Sequence, residues 1–369
     1  MVEWYLGKKH GPIQIDAELH KRCNLKCSFC PRSSATHDIN AESESKEMPL
    51  ERWLGVVREA KHIDNLVFNI EGANEPAYVP ELLFPVMEAV KASGMYGIIT
   101  TNGTLWTDER LKEVVDMGWD RMHFSIDSSV PAEHDRLRGV PGSFERAVRS
   151  INSLNAFKER NGSDRPMLNM NIVVCNENFR RLPEMVELAK RFKVDYIFVE
   201  PLMIFSDAAR RLAIPDDVVE TELRNYVRLA KGLADNYGID NNFSSQDKNL
   251  QDELVKEADK RKVLLDDASA AKKRVKEDGT LLSAPCLKPW TQLAIKFDGT
   301  AGTCGFVQDG ENVLEKDLER IWYGQMFDSV RTEMARGRLL GHCAKCVPSD
   351  ITQRRRFRKE VIDAIVGVR

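Results

Sequence analysis

The chain has 369 residues, room for roughly two domains at about 150 residues each, although a barrel can absorb more in one. Lys plus Arg number 54 against 57 Asp plus Glu, and a formal net charge of -3 offers no basic field for nucleic acid or anionic membranes. No apolar run approaches the ~18 residues that span a bilayer, and Met1-Val2-Glu3-Trp4-Tyr5-Leu6 lacks the basic start and apolar stretch of a signal peptide, so a cytoplasmic chain is expected.

The first expected strand is Ile13–Leu19, and a cysteine-rich stretch follows it directly. Apolar stretches Leu66–Ile70, Tyr96–Thr101, Arg121–Ile126, Leu168–Val174 and Tyr196–Val199 then read as buried parallel strands. Amphipathic segments of helical length lie between them at Leu50–His62, Pro80–Ser93, Asp108–Met117, Phe144–Arg160 and Leu182–Phe192. Gly94 and Gly118 stand where a left-handed residue would close a helix, and Asp108 and Ser143 are expected N-caps. Six strands alternate with five helical segments, which argues for βαβ units and a partial (β/α)6 TIM barrel spanning 1–204. In such barrels chemistry gathers at the carboxyl ends of strands.

Composition changes after Pro201. Residues 205–284 are rich in charge and helical in period, and read as a solvated helical insertion or linker that could cap the barrel mouth. Asn241-Asn242-Phe243-Ser244-Ser245 looks like a break between its helices. From 285 to 369 a third pattern appears: Trp290–Lys296 and Thr300–Phe306 flank Asp298-Gly299, a two-residue hairpin signal. A helix is expected over Leu318–Ala335 and a basic one over Gln353–Val368.

Eight cysteines punctuate this plan at 23, 27, 30, 175, 286, 304, 343 and 346. In a reducing compartment they are metal ligands or thiols before they are disulfides. Cys23, Cys27 and Cys30 form a Cys-x3-Cys-x2-Cys run just past the first strand. Three thiolates on one loop suit three irons of a cubane and leave the fourth iron open, whereas structural zinc seeks four protein ligands.

That run, with Phe29 before its last cysteine, resembles the signature of the radical S-adenosylmethionine (radical SAM) superfamily. The resemblance implies a [4Fe–4S] cluster on Cys23, Cys27 and Cys30, whose open iron binds S-adenosyl-L-methionine. Its cleavage by one electron yields a 5′-deoxyadenosyl radical that abstracts hydrogen from substrate, and an external flavodoxin or ferredoxin supplies the electron.

Further stretches carry the same resemblance. Glu71-Gly72-Ala73-Asn74-Glu75-Pro76 is similar to a Gly-Gly-Glu-Pro motif, with Asn74 in place of the second Gly, and implies that Glu75 holds the methionine ammonium. Thr100-Thr101-Asn102-Gly103 and Ser125-Ile126-Asp127 end strands three and four, implying cofactor contacts from Asn102 and Ser125. Arg138, with Arg136 its competitor, would pair with the cofactor carboxylate, and Val174 would pack on adenine. Read without the resemblance, Asn102-Gly103 is a turn, Glu75 a surface acid and Arg138 a solvated charge.

Cys286, Cys304, Cys343 and Cys346, with Gly299 between the first two, resemble the auxiliary-cluster extensions of that superfamily, the SPASM domain and its shortened twitch form. Four thiolates imply a second, fully ligated [4Fe–4S] cluster; zinc is the alternative the residues alone allow. His20 and His342 flank the two clusters and are expected to support them through hydrogen bonds.

The architecture resembles the aminocyclitol dehydrogenases, which also have Pro directly after the third cysteine, as Pro31 is here. The expected reaction is a two-electron alcohol oxidation of a small carbohydrate- or aminocyclitol-like substrate, with the auxiliary cluster accepting an electron. The alternatives are a ribosomal-peptide-modifying enzyme and a redox-neutral epimerase that uses Cys175 as hydrogen donor. Only twelve residues precede Ile13, so a fused leader-peptide-binding domain is not expected. Asn69, Asn171 and Glu200 are expected to face substrate, and Glu200 could act as base.

Overall fold

The computed structural model describes residues 9–30, 47–204, 206–243, 286–305 and 310–336. Its centre is a parallel sheet in which each expected strand finds its neighbour. The strands are β1 (Gln14–Ala17), β2 (Val67–Ile70), β3 (Tyr96–Thr101), β4 (Arg121–Ser125), β5 (Met167–Val174) and β6 (Tyr196–Pro201). They pair in chain order, all parallel. Helices α1 (Leu50–His62), α2 (Pro80–Ala92), α3 (Asp108–Asp116), α4 (Pro131–Arg138), α5 (Ser143–Asn161) and α6 (Leu182–Arg191) make the crossovers. This is the partial barrel expected from the alternation of periods.

Side chains alternate across each strand, so one set packs under the helices and the other lines the concave face. Ile15, Phe68, Ile99, Phe124, Met170 and Ile197 belong to the first set and are all fully enclosed. Gln14 and Asp16, Asn69, Thr100, His123, Asn169 and Asn171 belong to the second. The concave face thus carries a row of polar side chains among apolar ones such as Ile98 and Phe198, and the core lies in the layer between sheet and helices.

Several local expectations change. α3 is capped by Thr107, whose hydroxyl accepts from the Arg110 amide, and not by Asp108. Gly142, not Ser143, occupies the cap of α5. The missing side-chain acceptor there comes from Asp135, which takes bonds from the Gly142 and Phe144 amides and the Ser143 hydroxyl at 2.6–2.9 Å. Gly94 and Gly118 do take the left-handed conformation. α4 escaped the periodicity argument because it is short, with only His134, Leu137 and Arg138 buried.

The segment expected as an insertion from 205 proves to extend the sheet as far as residue 243. Helices α7 (Asp207–Arg211) and α8 (Arg224–Tyr237) lead to β7 (Asp240–Asn241), which pairs parallel with β6. Val227, Ala230 and Ala234 are buried. The high charge of this segment masked one narrow apolar stripe on α8. Residues 205 and 244–284 of the expected insertion lie outside the described residues.

A helical turn, α9 (Lys288–Thr291), replaces the start of the expected strand at Trp290. β8 (Gln292–Ile295) then joins the sheet beside β1, parallel to it, and β9 (Thr300–Gly302) and β10 (Glu311–Asn312) continue antiparallel. The β8–β9 connection is a three-residue loop, since Lys296 pairs with Thr300. Gly299 at φ 86 closes it as the left-handed residue such loops require. The helix expected over Leu318–Ala335 is two, α10 (Leu318–Trp322) and α11 (Gln325–Ala335), separated at Gly324. No described helix is long and apolar enough to cross a membrane. The basic helix expected at Gln353–Val368 lies outside the described residues.

Candidate radical SAM site

The carboxyl end of β1 runs through Glu18 into the cysteine loop, which is stitched to the end of α4. The Lys26 and Ser28 amides donate to the Arg138 and Leu137 carbonyls at 3.1 and 3.0 Å, carbonyls a helix end leaves without internal partners. Gly139, left-handed at φ 71, ends α4 against the loop; a Cβ there would stand 2.2 Å from the Lys26 carbonyl oxygen. Only glycine lets the two backbones approach this closely.

Cys23, Cys27 and Cys30 are free thiols, Cys27 buried and the others half-buried. Burial pushes the Cys23 thiol up to about 12 and raises that of Cys27, where the Arg138 charge opposes the rise. Among the described residues no three His, Cys, Asp or Glu side chains converge as they would around one metal ion. A cubane takes one thiolate per iron, so its ligands stand farther apart than those of an ion, and the donor set is the thiol set such clusters use.

Around the loop, the motif residues form one hydrogen-bonded frame. Glu75 is fully buried; its carboxylate accepts from the Thr101 hydroxyl (2.6 Å), the Asn102 amide (2.6 Å) and the Ala77 amide (3.2 Å). Burial nevertheless pushes it up to about 7. A carboxylate offers about four acceptor sites, so three internal bonds leave room for one further donor. Asn102 reaches the loop with its amide, donating to Asn24 Oδ1 at 3.0 Å and lying 4.0 Å from Cys23 Sγ. Asn24 in turn donates to Thr104 (2.8 Å). Asn74 donates to the His20 carbonyl, which gives a reason for an amide where the motif has glycine. His20 accepts from the Arg22 amide and faces the Pro76 carbonyl, so both ring nitrogens serve backbone rather than metal.

Arg138 is 8% exposed and already engaged. Its Nε lies 2.6 Å from Asp127 Oδ2, one terminal nitrogen lies 3.8 Å from Cys27 Sγ, and its plane covers the Phe29 ring with 5.3 Å to the centroid. Arg136, the competitor, points to Glu177 at the surface. Ser125 stands half-buried at the end of β4, beside Asn171 of β5. Val174 is 3% exposed in the core with Ile172 and Met170, so alternation puts Val173, not Val174, on the concave face. Cys175 is fully buried against Leu137 and Leu212, with Phe29 packed on them, and burial pushes its thiol up to about 11. It packs among apolar side chains there.

The concave face below carries groups that spacing alone overlooked. Asn69 donates to Asp16 across β1–β2 (3.0 Å), while its Oδ1 has no protein partner. His123 Nε2, Asn169 Oδ1 and Asn171 Oδ1 are likewise buried and unpartnered. Burial and the Arg121 charge pull His123 down to about 4, so it is neutral. Glu71, just past β2, is pushed up to about 8 by burial and by Asp16, and Lys288 from α9 opposes this. Strand alternation could have flagged Glu71 and His123; what hid them was the lack of any motif. Cys286 precedes α9 and Cys304 follows β9, so the β8–β9 hairpin lies between them. Cys343 and Cys346 lie outside the described residues.

An open parallel β/α sheet thus carries three thiols at the end of its first strand. Residues 18–196 match the radical SAM superfamily and residues 286–347 the SPASM iron–sulfur cluster-binding domain; the chain carries both domains. They imply S-adenosyl-L-methionine, a [4Fe–4S] cluster and an auxiliary cluster, which favours iron–sulfur over zinc at the second cysteine set.

A tungsten-containing aldehyde ferredoxin oxidoreductase cofactor-modifying protein of Pyrococcus furiosus is 30% identical over half of each chain. A PqqA peptide cyclase of Ruegeria pomeroyi is 25% identical over 87% of this chain and 76% of its own. The chain spans about half the length of the first curated relatives it matches. Among solved structures, Streptococcus suis SuiB bound to precursor peptide SuiA superposes with a TM-score of 0.61 at 17% identity, over 87% of this chain and 67% of that one.

Proposed function

We propose that this protein is a peptide-modifying radical SAM enzyme. The observation that carries the reading is the similarity to a PqqA peptide cyclase over 87% of the chain. The unpartnered amide and imidazole atoms of Asn69, His123, Asn169 and Asn171 agree with it. A buried row of this kind is costly until a substrate rich in donors and acceptors fills it. The expectation of an aminocyclitol or other carbohydrate alcohol dehydrogenase finds no support among the relatives, and the peptide alternative replaces it.

Cys23, Cys27 and Cys30 would hold the catalytic cluster, and Cys286, Cys304, Cys343 and Cys346 the auxiliary one. Bound together, cluster and S-adenosyl-L-methionine supply one-electron hydrogen abstraction. Glu75 offers its remaining acceptor site to the cofactor ammonium, Asn102 keeps the loop in place, and Ser125 reaches the cofactor from β4. Glu200, near the carboxyl end of β6, is the candidate base that would receive a proton from substrate.

The test is anaerobic incubation with S-adenosyl-L-methionine, dithionite and short peptides encoded beside this gene, followed by mass spectrometry. A cofactor-dependent mass change in a peptide supports the reading. Oxidation of a free carbohydrate alcohol, with every peptide unchanged, would overturn it.

A further inference from the structure

Strand register gathers carboxylates on the concave face, away from the cysteine loop. Asp16 and Asn69 are register partners on β1 and β2, so the sheet itself sets their side chains next to each other. Asp16 Oδ1 accepts from Gln14 at 2.6 Å and from Asn69 at 3.0 Å. The Glu71 amide continues the ladder onto the Ala17 carbonyl at 3.1 Å, and Glu71, two residues after Asn69, lies on the same face. The Asn69 amide hydrogen-bonds to Glu71 as well. Glu200 from β6 adds its negative charge to that of Asp16 at Glu71, and Lys288 from α9 is the cation set against them. Two observations mark this group as a place for a further cation. Asn69 is 5% exposed, its amide serves carboxylates, and its Oδ1 has no protein partner. Glu71 keeps part of its surface open, yet burial and the neighbouring carboxylates push it up to about 8, so that surface faces the barrel interior and not bulk water.

We propose that Asp16, Asn69 and Glu71 form a subsite for a cationic side chain, lysine or arginine, of the peptide substrate. A buried acceptor without a donor is costly, and so are carboxylates crowded together in a low dielectric. One group that carries several N–H donors and a positive charge relieves both. Its N–H groups reach Asn69 Oδ1 and Glu71, the Glu71 proton leaves to solvent, and Asp16 and Glu200 supply the surrounding negative charge. The inference rests on the peptide-modifying reading and narrows the peptides that such an enzyme admits.

The test is equilibrium dialysis of acetyl-Ala-Ala-Lys-Ala-Ala-amide and its norleucine and glutamate counterparts against the full-length, cluster-loaded protein, saturated with S-adenosyl-L-methionine at physiological salt. The expected result in wild type is retention of the lysine peptide about tenfold above the norleucine peptide, the size of one charge-assisted hydrogen bond. Glu71→Gln should remove most of that preference, and Glu71→Lys should turn it towards the glutamate peptide. Norleucine retained as well as lysine, or none of the three retained, overturns the proposal, as does a lysine preference unchanged in Glu71→Gln. Should Glu71→Gln fail to fold, Asp16→Asn decides: an unchanged lysine preference there also overturns it. Retention is read without turnover, so the two readings fail separately. A wild type that modifies peptides but shows no lysine preference removes the subsite alone, and one with the preference but no peptide product removes the reaction alone.

Discussion

At the scale of single residues, the site is governed by groups whose charge is held off by burial. Glu71 is the clearest case, because its folded pKa of about 8 lies above the ordinary carboxylate value of 4.5. The folded state therefore binds more protons than the unfolded chain between those two values, and stability falls as pH rises through that window. Glu71→Gln removes the titrating group. Its melting temperature should exceed that of wild type by a margin that grows from pH 5 to pH 8, as read by scanning calorimetry; a constant margin would show that Glu71 does not titrate there. Gly139 makes a second prediction. Alanine at φ 71 costs about 1 kcal/mol in conformation alone, before the contact with the Lys26 carbonyl is relieved. Gly139→Ala should lower iron content per chain more than Gly162→Ala, where a Cβ meets nothing within 4 Å.

At the scale of elements, the His134-Asp135-Arg136-Leu137-Arg138-Gly139 stretch serves two neighbours at once. Asp135 supplies the acceptor that α5 lacks at its glycine cap, and the end of α4 receives the cysteine loop. Asp135→Ala should cost about 1–2 kcal/mol by urea denaturation, the range for losing a helix cap. Hydrogen exchange should speed up in the first turn of α5 rather than its last. Much of this level was legible from the chain: the strand and helix alternation, the glycine stops and the loop after β1 all follow from local pattern. Thr107 and Asp135 were not, since caps depend on which side chain reaches an amide, and Asp135 reaches α5 from the helix before it.

At the scale of the whole molecule, β8 carries the consequence. By pairing with β1 it places the start of the SPASM segment on the same sheet as the cysteine loop, and Trp322 of α10 donates to the His10 carbonyl near the chain start. Leu293 on β8 is fully buried. Leu293→Ala should cost about 2–5 kcal/mol and lower the temperature at which both domains unfold together. Two separated calorimetric transitions, with the first alone displaced, would show that the shared sheet does not couple them.

The sequence by itself determined what depends on neighbours along the chain. The cysteine run pointed to the cofactor chemistry through its resemblance to a known signature, and hydropathic period named the β/α alternation, because both are local signals. Only the tertiary structure decided what depends on residues far apart: that residues 206–243 add a seventh parallel strand, that Val174 faces the core, that Cys175 is packing, and that Arg138 is already held by Asp127 and Cys27. Cys27 and Arg138 are 111 positions apart, and such a contact leaves no trace in local spacing. Burial then gave these side chains their shifted charges, since desolvation belongs to the folded packing and not to the residue type.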